Sequence, residues 1–262
     1  MLFKFPHTRS RYHFGGRPAA CILVYSYVDW QKELRMITVI SLGGSIVAPD
    51  GVDDVFLKDF TALIGELLSR DDKRRFIIVV GGGGPARAWQ KAYRAVCPQP
   101  VDENADWIGI MATRLNAELV RAVMGEWCTQ DVVYNPTQVE PLMGRVLVAA
   151  GWKPGFSSDY DAVLLAERFQ ANAVINLSNI EKVYTDDPRT NPDAKPIDSI
   201  SWADFCTMVG EEWVPGKNVP FDPIASKHAA KIGLKVMCAA GKNLDNLKNI
   251  LLGEPFVGTT IS

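Results

Sequence analysis

An apolar run of β type, Phe76-Ile77-Ile78-Val79-Val80, ends in four consecutive glycines, Gly81–Gly84, and Pro85-Ala86-Arg87 opens a helix behind them. Strand, glycine turn and helix N-terminus in that order make an anion site. Glycines let backbone N–H groups approach a phosphate closely, proline suits a first helical turn, and the helix dipole favours negative charge. Arg87, one turn in, is placed to fork onto phosphate oxygens. A tight strand–helix connection without a ligand is the other reading, and it requires fewer glycines. A P-loop is excluded, because Pro85-Ala86 stand where Lys and Ser/Thr are needed. Gly81, Gly83 and Ala86 satisfy the loose G-x-G-x-x-A dinucleotide pattern. That pattern also asks for an acid at a strand end about 20 residues on, and there the chain reads Cys97-Pro98-Gln99-Pro100-Val101-Asp102, a loop.

A second glycine turn, Leu42-Gly43-Gly44-Ser45, closes the run Ile37–Ile40. In an open α/β sheet ligands collect beyond the carboxyl ends of the strands. Two anion turns on that edge point to two phosphate-bearing ligands facing each other, the geometry of phosphoryl transfer. The segment 106–117 adds Asp106, Gly109, Thr113 and Asn116 at steps of three, four and three, on one helical face. Such a face is not an ordinary core stripe. Asp106 is placed to accept hydrogen bonds from ribose hydroxyls, with Gly109 permitting close approach. A solvated face with Asp106 as helix cap is the alternative.

These turns need a sheet to hold them. From Met36 onward strand and helix signals alternate. Strands are expected at 37–40, 76–80, 132–134, 146–148, 173–177 and 234–238. Helices are expected at 52–69, from the glycine turn through 95, and at 106–124, 159–169, 201–209 and 223–232. This order predicts an α/β fold: a mainly parallel central sheet with helices on both faces, a three-layer α-β-α sandwich in one domain, residues 36–262. Residues 1–35 hold two of the three histidines, Lys4, Arg9, Arg11 and Arg17 and few acids, and read as an extension outside the folded domain, with Met36 as an alternative start. The run Ala19–Val28 is too short to span a bilayer and lacks a cleavage site for a signal peptide.

A net charge of −2 and no dense basic stripe argue against nucleic acid as a partner. Five scattered cysteines without a C-x-x-C read as reduced thiols of a cytoplasmic protein, and the histidines, His7, His13 and His228, leave no zinc set. No candidate general base is required, because a phosphate acceptor is already an anion at neutral pH.

The runs S-L-G-G-S, G-G-G-G-P-A-R and D-W-I-G-I-M-A-T-R-L-N-A together resemble the amino-acid-kinase superfamily. The D-x-x-G-x-x-x-T-x-x-N-A helix is similar to that of uridylate (UMP) kinases. The segments at 154–159 (P-G-F-S-S-D), 183–188 (V-Y-T-D-D-P), 221–227 (F-D-P-I-A-S-K) and 258–261 (G-T-T-I) resemble the archaeal-type branch. The resemblance covers about residues 37–262. It implies transfer of the ATP γ-phosphoryl group to UMP, with Mg²⁺ brought by ATP and no protein metal site, in a homo-oligomer, a hexamer. It implies that Gly82, Gly83 and Arg87 hold the acceptor phosphate, Asp106 the ribose, and Thr113, Ser157 and Ser158 the acceptor nucleotide. Gly43, Gly44 and Ser45 line the ATP phosphates, and Asn179, Tyr184, Asp187 and Pro188 the rest of ATP. Lys227, with Arg87, is the catalytic cation.

The chain departs from the superfamily at Ser41, where many members carry Lys; archaeal-type UMP kinases share that departure. It departs again at Lys182, where the family shows a glycine. If that position needs φ > 0, a lysine there is strained by about 1–2 kcal/mol. Trp89, Trp107 and Trp127 read as core or subunit-contact residues. Trp152 and Phe156 either stack on a base or pack, and His228 reads as a surface histidine. Two other readings stay open: a kinase of this fold for another small phosphate or carboxylate acceptor, and a non-catalytic nucleotide- or oxyanion-binding or storage protein.

Overall fold

Strand β1 (Ile37–Leu42) forms because its β-branched residues alternate between two buried faces. Ile37 and Val39 enter one core, and Ile40 and Leu42 enter the other. The same two-sided burial holds for β2 (Arg75–Val80), β3 (Val146–Ala149), β4 (Ala173–Ser178) and β8 (Lys235–Ala240). Continuous apolar runs of this kind belong to parallel strands covered on both sides. In the computed structural model, which describes residues 37–210 and 219–262, the seven-stranded sheet runs β3-β2-β1-β4-β8-β9-β7. Its pairs are parallel except where β9 (Thr259–Ile261) runs antiparallel to β8; β7 (Ser199–Ile200) returns parallel to β9. The carboxyl ends of β1, β2, β3, β4 and β8 therefore share one edge.

Helices cover both faces. Helix α1 (Gly44–Val47) is one turn, α2 (Asp54–Arg70) starts on an Asp53 cap, α3 (Gly83–Val96) follows the glycine run, and α4 (Asp102–Met124) is the longest. On one side of the sheet α2, α4 and α8 (Leu244–Leu252) pack through Phe60, Ile64, Val120 and Leu247. On the other, α5 (Ser158–Arg168), α6 (Trp202–Val209) and α7 (Pro223–Ile232) pack through Val163, Phe205 and Ala229. A fully buried side chain such as Phe60 or Phe205 contributes about 1.5–3 kcal/mol relative to exposure. The expected three-layer α/β sandwich is the observed architecture.

Differences from the sequence reading have local causes. The strand expected at 132–134 is a single bridge between Val133 and Ala149, because the chain turns at Asn135, whose side chain accepts from the Thr137 N–H. Helix α4 begins at Asp102, not 106, so Asp106 lies in its second turn and is not a cap. Helix α8 was not expected, although Asn243 caps its start and Gly253, at φ 75°, ends it. The short β5 (Val183–Tyr184) and β6 (Pro196–Ile197) pair with each other across the 185–195 loop. The extension 1–35 and the start at Met36 lie outside the described residues.

Candidate active site

The two glycine turns touch each other through their backbones. A side chain on Gly44 would put its Cβ 2.1 Å from the Gly83 nitrogen, and one on Gly81 would lie 2.4 Å from the Gly44 nitrogen. Gly83 adopts φ 64°, and its Cβ would collide with the Gly44 and Ala48 carbonyls. Gly84 donates its N–H to Ala48 O at 2.8 Å. Backbone-on-backbone packing thus requires glycine at 44, 81, 83 and 84, while a Cβ on Gly82 would meet the Ala86 side chain at 2.7 Å. Gly43 joins the cluster by donating to Leu177 O at the end of β4, 2.9 Å away. Arg87 donates to Pro49 O at 3.1 Å, so its guanidinium braces the 48–50 loop.

The polar face of α4 fastens the loops around this cluster. The Asn116 amide, buried, donates to Gly81 O and Gly82 O at 2.9 and 3.2 Å. Thr113 Oγ1 accepts the Gly151 N–H at 2.8 Å and donates to Ile110 O. Arg114 reaches the carbonyls of Gly151 and Trp152, and Asp106 accepts the Gly155 N–H at 3.1 Å. Gly109 makes room for Gln90, whose Nε2 lies 2.6 Å from where a Cβ would stand and donates to Ala105 O. The Asp-Gly-Thr-Asn spacing is therefore also the spacing of loop anchors.

Two further helix N-termini converge here. Ser157 caps α5, its hydroxyl accepting the Tyr160 N–H, and Ser158 opens that helix. In the F-D-P-x-A-x-K segment, Asp222 caps α7 by accepting the Ala225 N–H at 2.7 Å. Pro223 takes the first helical position, where its missing N–H costs nothing, and Phe221 is buried. That cap places Lys227, exposed, in the second turn of α7. Ser41, on the α5 side of β1, donates to Asp159 Oδ1 at 3.0 Å, and the Asp222 N–H donates to Asp159 Oδ2. Burial of the Asp159 carboxyl, with Asp222 nearby, raises its pKa to about 6 against those two donors. Burial raises Asp161 to about 7, only partly offset by the Trp152 N–H it accepts, and Asp159 adds to the rise. One carboxyl oxygen of Asp161 is buried without a hydrogen-bond partner.

A cavity of about 200 Å³ lies between these parts. Gly82 and Ala86 form one end; Asp106, Gly109 and Thr113 form the α4 wall; Ser157, Ser158 and Asp222 face them. Of the expected site residues, Gly82, Asp106, Thr113, Ser157 and Ser158 line this cavity. Gly83 lies against Gly44, and Arg87 and Lys227 are outside the lining set. Gly44 is buried and Ser45 half-buried at the first turn. Asn179 and Pro188 are exposed beyond β4, and Tyr184 is half-buried in β5. Asp187 takes the Arg189 guanidinium and N–H, which hold its pKa down at about 2. Gln90 and Lys153 line the cavity without having been singled out from sequence; the one signal was Lys153 lying between Trp152 and Phe156.

Residues 36–240 match the model of the amino acid kinase family. The chain belongs to that family. Among similar proteins, the uridylate kinase of Methanospirillum hungatei is 33% identical over 227 residues, 86% of this chain and 94% of that protein. The uridylate kinase of Thermoplasma volcanium is 35% identical, over 85% of this chain and 96% of that one. Among solved structures, uridylate kinase from Archaeoglobus fulgidus superposes with a TM-score of 0.74 at 31% identity, covering 86% of this chain and 99% of that one. UMP kinase from Bacillus anthracis, at 21% identity and a TM-score of 0.69, shares the fold.

The family glycine replaced by Lys182 carries no strain here. Gln170 is the one non-glycine residue with positive φ among the described residues, so Lys182 occupies ordinary backbone. Its ammonium pairs with Asp198 instead. His228 is not a free surface histidine: its ring contacts Tyr160 Oη at 3.3 Å and Glu167 Oε2 at 2.8 Å, tying α7 to α5.

Proposed function

We propose that this member of the amino acid kinase family is a uridylate kinase that transfers the γ-phosphoryl group of ATP to the phosphate of UMP, giving UDP and ADP. The observation that carries the reading is the cavity whose glycine end suits a phosphate, whose Asp106 wall suits a ribose, and whose Ser157–Ser158 face completes the acceptor side. Relatives named uridylate kinase, over 30% identical across nearly their whole length, support it.

The UMP phosphate rests at the start of α3, with Gly82 and Gly83 and with Arg87 turned from Pro49 O onto the anion. Asp106 accepts from the ribose, and Thr113, Ser157 and Ser158 complete the acceptor side. ATP lies on the other side of the glycine cluster, its phosphates over Gly43, Gly44 and Ser45 and its adenosine along Asn179, Tyr184, Asp187 and Pro188. A UMP phosphate oxygen attacks the γ-phosphorus, the bond to the β,γ-bridging oxygen breaks, and ADP leaves. No proton has to be removed from the acceptor first. Catalysis is positioning and charge neutralisation, from Lys227, Arg87 and the Mg²⁺ that enters as the ATP complex.

A homo-oligomer, a hexamer, accounts for the outer face of α3 and α4. Helix α3 has no buried residue, and Trp89, Val96, Trp107, Met111 and Leu115 are all exposed. An apolar face of this size on a soluble chain marks a protein contact. The kinase domain is residues 36–262, the family match beginning at residue 36. The proposed site of action is the cytoplasm.

Initial rates of ADP formation from Mg-ATP with UMP, CMP, AMP, GMP and carboxylate acceptors test the reading. Turnover with UMP well above the others is expected. A preferred carboxylate acceptor overturns it, and silence across the panel in a folded protein points to a binding protein.

A further inference from the structure

Helix α4 acts as a ruler for the cavity. Asn116 is fixed to the Gly81 and Gly82 carbonyls at one end, and Asp106 to the Gly155 N–H at the other. Ten residues of helix separate them, about 15 Å at 1.5 Å per residue. A nucleoside monophosphate whose phosphate lies at the glycine end therefore carries its sugar and base toward Asp106 and the 153–156 turn. Among the described residues one basic side chain lines the cavity, and it sits on that turn: Lys153.

Its position is defined. The Phe156 N–H closes the turn onto Lys153 O at 3.3 Å, and the ammonium lies 4.1 Å from the Trp152 ring centre and 4.8 Å from that of Phe156. Two aromatic faces hold a cation in this way by their quadrupoles. The other long polar side chain of the lining, Gln90, has its amide nitrogen engaged by Ala105 O.

We propose that Lys153 determines acceptor specificity by donating to the C4 carbonyl oxygen of the base at the outer end of the cavity. The proposal rests on the uridylate kinase reading. An ammonium has three donors and no acceptor. Uracil offers it a carbonyl oxygen at C4, whereas cytosine presents an amino group there, so donor meets donor and both stay unpaired. Sites that read a substrate by hydrogen bonding discriminate more strongly than apolar pockets for this reason.

The test compares kcat/KM for UMP and for CMP in the wild type, Lys153→Met and Lys153→Arg, with Mg-ATP saturating. Lys153 is exposed, so both variants are expected to fold with unchanged melting temperature. The expected result is a UMP-to-CMP ratio at least tenfold lower in Lys153→Met, through a raised KM for UMP with kcat little changed. Lys153→Arg, also donor-only, keeps most of the preference. An unchanged ratio in Lys153→Met overturns the proposal while leaving the kinase reading intact. Absence of UMP turnover in the wild type overturns both.

Discussion

Lys227 owes its place to three of the residues before it in its segment. Asp222 caps α7, Pro223 starts it, and the buried Ala225 holds it on α5, so the lysine emerges one turn in, at the same end of the helix as the cavity. As a cation in the proposed transfer, it neutralises charge on the moving phosphoryl group. Cations in this role contribute about 10³–10⁵ in rate where they have been removed. Lys227→Met is expected to lower kcat by roughly 10³ while shifting stability by no more than about 0.5 kcal/mol, as befits an exposed residue. Steady-state kinetics beside a thermal melt checks both, and a kcat near wild type removes Lys227 from the mechanism. The Asp222 cap has a short-range cause, yet in sequence the segment was legible only through its resemblance to the archaeal-type branch. The anchoring by Asn116 and Thr113 was visible only as an odd polar face, because their partners lie 34 to 38 residues away.

At the scale of elements, α5 carries two carboxyls into the sheet side of the site. Asp161 is buried, and its pKa of about 7 stands above the ordinary 3.8. The folded chain therefore holds a proton that the unfolded chain has lost between about pH 4 and pH 7, so stability falls as pH rises through that window. Asp159, at about 6, acts in the same direction. Asp161→Asn keeps an oxygen for the Trp152 N–H and removes the ionisation. Its melting temperature is expected to exceed wild type at pH 8, by about 2–4 °C for each kcal/mol relieved, and to lose part of the decline between pH 5 and 8. A variant with the wild-type slope would show that Asp161 does not titrate in that range. The alternation of strands and helices made the elements readable, since periodicity is local. The 132–134 segment has strand composition yet pairs at one residue, and β5, β6 and β7 are two residues each, too short to leave a pattern.

For the whole molecule, the arrangement puts the glycine turns of β1 and β2 in contact and leaves the outer face of α3 and α4 apolar. That the turns meet follows from sheet order, which no single segment encodes. If the apolar face is covered by a second copy, Trp89→Glu buries a charge in the contact and lowers the assembly state. Light scattering after size exclusion is expected to give an oligomer for the wild type and a smaller species for the variant, and a monomeric wild type would exclude the assembly. The central claim concerns the fate of one phosphoryl group. Phosphorus-31 NMR of the protein with Mg-ATP and UMP follows it directly. The account predicts that the UMP resonance gives way to the two coupled resonances of UDP, in step with conversion of ATP to ADP. ADP accompanied by inorganic phosphate, with UMP unchanged, would contradict it.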